Sequence, residues 1–250
     1  MDSSLTATAH RPYPLPGGPW VMHQSWHDLL FAHWPAPVDE MRRVVPASLP
    51  LDTFNGQAWI AVVPFRMSNV YPRYTFPVPS LSAFPELNVR TYVVVDGKPG
   101  VYFFSLDAAN SIAVRIARTF FHLPYFNAQM SLIEKEGWIE YHSHRIHNGA
   151  PGADLVCRYR PAGDPYQAQH GSLESWLTER YCMYPVGKEG EEVYRGEIHH
   201  LPWPLQPAAA EFTTNTMTLP HGFPLPDYPP LLHFARRLDV VVWGLERVKT

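Results

Sequence analysis

The stretch VRIARTFFHLPYFNA, Val114 to Ala128, combines a helix pattern with an abrupt stop. Apolar side chains in and just before it recur near a 3.6-residue period, which predicts an amphipathic helix. These apolar positions are Ile112, Ile116, Phe120 and Phe121. Arg118 falls between them, and Pro124 ends the pattern because a proline ring blocks the continuation of a helix. Tyr125 and Phe126 follow at once, where a fold typically holds a functional side chain.

The composition fits one globular domain. The chain has 250 residues and is 46% hydrophobic, which is enough to bury one large core. Because no repeat or low-complexity linker divides it, we expect a single domain over residues 1–250, with 1–19 as an irregular N-terminal segment. The net charge is −3 and no run is rich in Lys and Arg, so we expect no nucleic-acid partner.

No stretch predicts a membrane span or a signal peptide. No apolar run reaches the roughly 20 residues that cross a bilayer. The start MDSSLTATAH lacks both a basic head and an apolar segment, so we expect a cytoplasmic protein with no membrane partner. Cys157 and Cys182 lie in separate apolar stretches without C-x-x-C spacing, which predicts buried thiols and neither a zinc site nor a redox pair.

Twenty-seven prolines and 14% aromatic residues are typical of short strands joined by ordered loops. Three short helices are predicted, in VDEMRRVV, in the opening stretch, and in SLESWLTERY with Ser172 as its N-cap. LNVRTYVVVDGKPGVYFFSL predicts two strands that meet at a turn of Asp96 and Gly97. Further strands are predicted in FNGQAWIAVVPFRM, NAQMSLI, GWIEYHSHRI, ADLVCRYRP, EEVYRGEIHH and LDVVVWGLERV, with the proline-rich LPWPLQPAAA and LPHGFPLPDYPP between the last two. The strands in NAQMSLI, GWIEYHSHRI and ADLVCRYRP are predicted to form an antiparallel meander.

Common catalytic motifs are missing from the sequence. It contains no G-x-S-x-G, no G-x-G-x-x-G, no G-x-x-x-x-G-K-[ST] and no H-E-x-x-H. The hydrolase, dinucleotide-binding, P-loop and zinc-protease interpretations lose their main support, and we expect no cofactor.

The strand FPELNVRTYV places polar side chains on one face. Glu86, Asn88, Arg90 and Tyr92 share that face because side chains alternate along a strand. In a barrel this set would point inward and form a small recognition site, with arginine donors free for a ligand. The alternative is an exposed ion pair between the glutamate and the arginine, worth under about 1 kcal/mol. The residues leave both interpretations open.

Histidines mark a second polar face. Glu140, His142 and His144 share one side of a predicted strand, and two imidazoles at i and i+2 can grip a transition metal. The alternative is a solvated strand face, which we favour, since 13 histidines make chance pairs common. His199 and His200 are adjacent and must point to opposite faces, so they cannot chelate one ion together.

Two resemblances follow from longer stretches. VDEMRRVVPASLPLD and ARTFFHLPYFNAQM resemble segments of the acetoacetate decarboxylase superfamily. WHDLLFAHWPAPVDEMRRVVP, LDTFNGQAWIAVVPFRM, FPELNVRTYV, GSLESWLTERY and IHHLPWPL together resemble the uncharacterised YqjF-like family over about residues 20–248. This resemblance implies an α+β fold, in which a curled, mostly antiparallel, barrel-like β-sheet with a few helices encloses a cavity.

The decarboxylase resemblance also tests for imine chemistry. That superfamily follows its proline with two lysines, one of which forms a Schiff base with the substrate, whereas Tyr125 and Phe126 stand here. Arg118 matches the superfamily's arginine, and its catalytic glutamate corresponds to Glu86. The four lysines, Lys98, Lys135, Lys188 and Lys249, are all predicted at solvated turns or the terminus, so we expect that the protein is not a Schiff-base decarboxylase.

The favoured hypothesis is a cavity protein that binds a small acidic or carbonyl-bearing molecule. Its predicted ligand-binding residues are Glu86, Asn88, Arg90, Arg118, Tyr125 and Phe126. One alternative is a metal-binding protein or metalloenzyme that uses His142 and His144, and another is a non-enzymatic interaction scaffold. The sequence leaves open whether any reaction is catalysed and whether the chain forms a homo-oligomer.

Overall fold

The fold is built almost entirely from strands. The computed structural model describes residues 3–78, 81–187, 190 and 192–248. The strands are β1 (Met22–Ala36), β2 (Ala58–Pro72), β3 (Phe84–Val95), β4 (Lys98–Ala108), β5 (Tyr125–Lys135), β6 (Trp138–Arg145), β7 (Asp154–Pro161), β8 (Cys182–Met183), β9 (Val193–His199), β10 (Gln206–Asn215), β11 (Leu231–Val242) and β12 (Glu246–Val248). The helices are α1 (Val38–Val44), α2 (Ser111–Phe120) and α3 (Leu173–Thr178), with short 3-10 turns at Ser3–Thr6 and Leu219–His221.

The strands close into two rings that share one wall. The sheet runs β12-β9-β8-β4-β3-β2-β1-β11-β10-β7-β6-β5, and additional pairings join β9 to β11 and β4 to β5. The β4–β5 pairing closes a mixed nine-strand barrel. The β9–β11 pairing closes a smaller ring on the other side of the shared strands β4, β3, β2, β1 and β11. The expected α+β fold with a curled, mostly antiparallel, barrel-like sheet is confirmed.

The nine-strand barrel is filled with packed side chains. Its core cluster draws on both the shared wall and the strands opposite, and Leu87, Val89, Tyr141, Tyr159 and Phe234 are among its fully buried members. The Tyr141 hydroxyl donates to the Glu86 carbonyl and the Tyr159 hydroxyl to the Asp28 carbonyl, so both buried phenols have hydrogen-bond partners. The barrel interior is therefore a solid core, and the cavity lies on the other face of the shared wall.

Most predicted elements are present, and three strands, β1, β8 and β10, were not predicted. The helices and the meander β5, β6 and β7 lie where the sequence places them, and Ser172 accepts a hydrogen bond as the N-cap of α3. Asp96 and Gly97 have φ of 51° and 71°, as the predicted hairpin turn requires. No strand was predicted in the proline-rich LPWPLQPAAA, whereas β10 begins there at Gln206 and pairs with β7. β1, which lies between β2 and β11 in the shared wall, was not predicted at all.

Helix α2 differs from an ordinary amphipathic helix. Its N-cap is Asn110, whose side chain accepts hydrogen bonds from the next turn. The apolar row that predicted the helix faces outward, with Ile112 53% and Phe120 68% exposed. The smaller Ala113 and Ala117 face the fold instead. No helix of the described residues is long and apolar enough to cross a membrane.

A buried ion pair joins β4 to β6 across β5. Arg145 donates to both carboxylate oxygens of Asp107, at 3.0 Å from Nε and 2.8 Å from Nη2. Both side chains are almost inaccessible to solvent. Burial raises the pKa of Asp107 to about 6, while the arginine opposes that shift. The pair spans the seam that closes the nine-strand barrel.

We predict that Asp107→Asn lowers the free energy of unfolding by about 3–5 kcal/mol, because it leaves a buried guanidinium without its counter-ion. Urea denaturation at neutral pH measures this change. The control is Glu211→Gln, which breaks the exposed pair with Arg158 (49% and 58% exposed) and should change stability by less than about 1 kcal/mol. Equal losses in the two variants would contradict a structural role for the buried pair.

Candidate functional site

A cavity of about 580 Å³ lies on the face of the shared wall opposite the filled barrel. Strands β1, β2, β3 and β4 form one side, β8, β9 and the end of β11 contribute the other, and α2 covers one end. Its volume is in the range of pockets that hold small molecules. The lining is mainly apolar, with the polar side chains Gln24, Thr75, Glu86, Asn88, Arg90, Asn110, Tyr125, Thr178, Arg180 and His200.

Strand β3 provides the polar wall predicted from the sequence. Glu86, Asn88 and Arg90 line the cavity, whereas Leu87 and Val89 pack in the filled barrel. Tyr92, the fourth member of the predicted face, lies beyond the cavity, where its hydroxyl donates to the Leu177 carbonyl at 3.0 Å. The alternation of side chains along β3 was thus predicted correctly. Of the four residues predicted to share a face, the first three line the cavity and Tyr92 does not.

Glu86 and Tyr125 form a buried hydrogen-bonded pair in the cavity wall. The tyrosine hydroxyl donates to Oε2 of the glutamate at 2.7 Å. Burial raises the pKa of Glu86 to about 8, and the charge of Asp107 adds to the shift while the tyrosine opposes it. Burial and the neighbouring carboxylate also raise the pKa of Tyr125. At neutral pH the pair is mostly a carboxylic acid beside a phenol, so it carries no charge, and the acid proton of Glu86 is its one donor not used within the pair.

Arg90 brings an uncompensated positive charge to the cavity. The residue is 9% exposed, and among the described residues no carboxylate lies within ion-pairing distance of its guanidinium. Its Nη2 has a long contact of 3.5 Å with the Leu177 carbonyl, its Cζ lies 5.2 Å from the centre of the Phe31 ring, and its Nε has no partner. The Asn88 Oδ1 is also buried without a hydrogen bond. The alternative of an exposed ion pair with Glu86 is wrong.

Several polar cavity residues were not among the predicted ligand-binding residues, and the two with the strongest chemistry are Arg180 and His200. Arg180 donates to Asp52 at 2.6 Å and to the Trp176 carbonyl, while its Nη2 has no partner. It follows α3, where a sequence pattern gives no sign of an inward arginine. His200 lines the cavity with a pKa lowered by burial to about 3, so it is neutral.

The adjacent His199 points away from the cavity, as the strand alternation predicts. It lies 3.4 Å from an Arg11 nitrogen and stacks on His10. His200 therefore contacts the cavity, and the side chain of His199 contacts the N-terminal segment.

Arg118 and Phe126 lie outside the cavity, contrary to their predicted contact with a ligand. Tyr125 points inward, so the next residue of β5 must point away, and Phe126 packs under Arg145 with 4.3 Å from Cζ to the ring centre. Arg118 donates to the Tyr125 backbone carbonyl at 2.6 Å from the outer side of α2. It holds the first residue of β5 in place and does not reach the cavity.

The histidine face of β6 is on the surface. His142 and His144 are exposed, and His144 Nδ1 lies 2.6 Å from Asp154 Oδ1. Within residues 3–78, 81–187, 190 and 192–248, no group of three or more His, Cys, Asp or Glu side chains has the arrangement of a metal site. The shared face was predicted correctly, and Glu140 adds no third ligand to it.

No lysine of the described residues lines the cavity. Lys98 forms an ion pair with Glu197 at 2.7 Å, and Lys135 is exposed at the end of β5. Lys188 and Lys249 lie outside the described residues. At the two positions where the decarboxylase resemblance implies lysines, the Tyr125 phenol lines the cavity. The Phe126 ring faces away from the cavity and packs against Arg145.

Comparison with known proteins agrees with this fold. The chain is 49% identical over 233 residues to the uncharacterized protein YqjF of Bacillus subtilis (strain 168), covering 93% of this chain and 95% of that protein. An acetoacetate decarboxylase structure superposes with a TM-score of 0.62 at 14% identity, covering 99% of this chain and 98% of the other. The enduracididine biosynthesis enzyme MppR, complexed with pyruvate, superposes with a TM-score of 0.61 at 11% identity, covering 93% and 91% of the two chains.

At these identities the two solved structures are similar to the chain in fold alone. A family model described as an uncharacterized conserved protein, DUF2071, matches residues 23–239. This range includes every strand of the shared wall and all the residues of β3 and β5 that line the cavity. The chain therefore belongs to the DUF2071 family of uncharacterized conserved proteins, and it has the acetoacetate decarboxylase-like fold.

Proposed function

We propose that the protein binds a small acidic or carbonyl-bearing molecule in the cavity. The observation that carries this proposal is the buried guanidinium of Arg90, which has no carboxylate partner among the described residues. Buried charges in proteins are almost always paired, because an unpaired one loses its hydration without compensation. A carboxylate on the ligand supplies the missing partner in a geometry that suits a guanidinium.

The neighbouring groups support the same ligand chemistry. Glu86 is mostly protonated at neutral pH, so its O–H can donate to a ligand oxygen without repelling an anion, while the Tyr125 hydroxyl is held in its hydrogen bond to Glu86. The unpartnered Nη2 of Arg180 adds a second donor in the cavity wall. The structural neighbour MppR is described in complex with pyruvate, a keto acid, which is consistent with this chemistry on the same fold.

Imine formation is not part of the proposal. A Schiff base needs a neutral lysine in contact with the substrate, and none of the described lysines lines the cavity. The proposed activity is recognition by charge and hydrogen bonds. Any chemistry that follows would have to use the Glu86 and Tyr125 protons in place of an amine.

We predict that Arg90→Gln weakens binding of hexanoate and 2-oxohexanoate on the order of 10- to 100-fold, because it removes charge-assisted hydrogen bonds. Thermal shift measured as a function of ligand concentration reports this loss. 2-Hexanone and 1-hexanol serve as probes of matched size without a carboxylate. Arg90→Lys keeps the charge and should retain part of the affinity, and the exposed Arg158→Gln should retain all of it.

Because Arg90 has no ion partner in the described residues, its replacement should leave the protein folded. Far-UV circular dichroism checks this point. Acids that stabilise the parent and Arg90→Gln equally would overturn the proposal, and so would the absence of binding by any acid of the panel.

We predict a pH-dependent stability difference between the parent and Glu86→Gln. The carboxyl group has a pKa of about 8 in the folded protein and 4.5 ordinarily, so folding binds a proton between these values. The parent therefore loses stability as the pH rises from about 4.5 to 8, whereas the amide does not titrate. Urea denaturation at pH 5 and pH 8.5 should show the variant gaining roughly 3–5 kcal/mol relative to the parent. The exposed Glu211→Gln should show no such change, and a constant difference for Glu86→Gln would refute the raised pKa.

A further inference from the structure

The cavity has a polar end and an apolar end, and β3 runs between them. Its inward residues are Phe84, Glu86, Asn88 and Arg90, and six residues at roughly 3.3 Å each make this wall about 20 Å long. Arg90 lies at the end near α3 and β8, since its Nη2 reaches the Leu177 carbonyl. The charged end is therefore separated from Phe84 by most of the length of the cavity.

The Phe84 end opens between α2 and the segment before β3. Asn110, the N-cap of α2, donates to the Leu81 carbonyl at 3.3 Å, which places the start of the helix beside this end. The lining here is almost wholly apolar, with Gln24, Thr75 and Asn110 as its polar members. The apolar residues at this end are Met22, Met67, Val70, Phe76, Val78, Leu81, Phe84, Ile112, Ala113, Ile116, Ala117, Phe121 and Leu123.

The apolar lining continues to the surface. Ile112 and Ile116 line the cavity and are 53% and 46% exposed, and Phe76 is 75% exposed. The outward apolar row of α2 thus forms the mouth of the cavity. No carboxylate other than Glu86 lines the cavity, so nothing negative stands between the mouth and Arg90 among the described residues.

The volume is too large for the head group alone. A three- or four-carbon acid would satisfy Arg90 and leave most of the 580 Å³ cavity unfilled. Apolar space of this kind has no polar groups with which to hold ordered water, and filling it with hydrocarbon is favourable. The unused length therefore indicates an apolar tail on the same molecule.

We propose that the ligand is an amphipathic monocarboxylic acid, such as a medium-chain fatty acid or its oxo derivative. This inference rests on the proposed function and specifies its ligand class. The carboxylate lies on Arg90, and the chain runs past Glu86 and Tyr125 to the mouth beneath α2. In a zigzag of bonds of about 1.5 Å, a chain of ten carbon atoms is about 12 Å long, so it fits along the wall of about 20 Å together with its head group.

The test is isothermal titration with butanoate, hexanoate, octanoate and decanoate, each below its micelle concentration. We expect the dissociation constant to fall about three- to fourfold for each added methylene until the mouth is reached. 1-Decanol, which has the tail without the charge, should bind more weakly than decanoate.

Two variants locate the chain. Ala117→Trp fills the apolar end next to α2, so it should remove the gain from octanoate to decanoate and weaken decanoate binding far more than butanoate binding. Thr213→Trp adds the same ring at an exposed position of β10, which does not line the cavity, and should bind every acid as the parent does. Circular dichroism confirms that both variants are folded.

The outcomes distinguish the amphipathic ligand class from the proposed function of binding acids in general. If all acids bind with an affinity independent of chain length, the amphipathic ligand class is wrong and the acid-binding function stands. If no acid binds at any length, both are wrong. Equal loss of butanoate and decanoate binding in Ala117→Trp would also overturn the predicted direction of the chain.

Discussion

Strand β3 is buried on both of its faces, so each side chain from Glu86 to Arg90 contacts either the filled nine-strand barrel or the cavity. Leu87 and Val89 must be apolar because the barrel is a solid core. The alternate residues, Glu86, Asn88 and Arg90, do not face this core, so they can be polar, and they carry the polar groups of the site. A shift of one residue in the pairing of β3 would exchange the two sets and bury Arg90 in hydrocarbon. The rest of the site depends on this register, which antiparallel partners on both sides enforce.

The same wall carries the positive charge of Arg90, which no carboxylate of the described residues neutralises. Where the fold needs a buried arginine for structure, it provides a carboxylate, as for Arg145 with Asp107 and for Arg180 with Asp52. Arg90 breaks this pattern, and the nearest acid on its own strand, Glu86, is held by Tyr125 instead. Its raised pKa keeps it mostly neutral, which preserves the positive potential of the cavity. Because no carboxylate of the described residues pairs with it, Arg90 is the residue of this wall that we propose binds the ligand.

Much of this organisation could be predicted from the sequence, for a physical reason in each case. The alternation of β3 identified Glu86, Asn88 and Arg90 together, because this signal is local, whereas Tyr125 was identified together with Phe126 from the resemblance. Arg118 and Phe126 were placed in the cavity wrongly, since a resemblance gives the position of a residue and not the side of the strand from which it acts. Arg180 and His200 enter the cavity through pairings far apart in the chain, and β1 carries too many mixed residues to show a clear period.

The central claim is that Arg90 holds the carboxylate of an acid whose chain points to the mouth. A crystal structure of the protein with octanoate tests it most directly. The account predicts carboxylate oxygens about 3 Å from the Arg90 guanidinium nitrogens, with the chain passing Tyr125 towards Ala117. Octanoate bound with its carboxylate at the mouth, or outside the cavity while Arg90 contacts only protein, would contradict it.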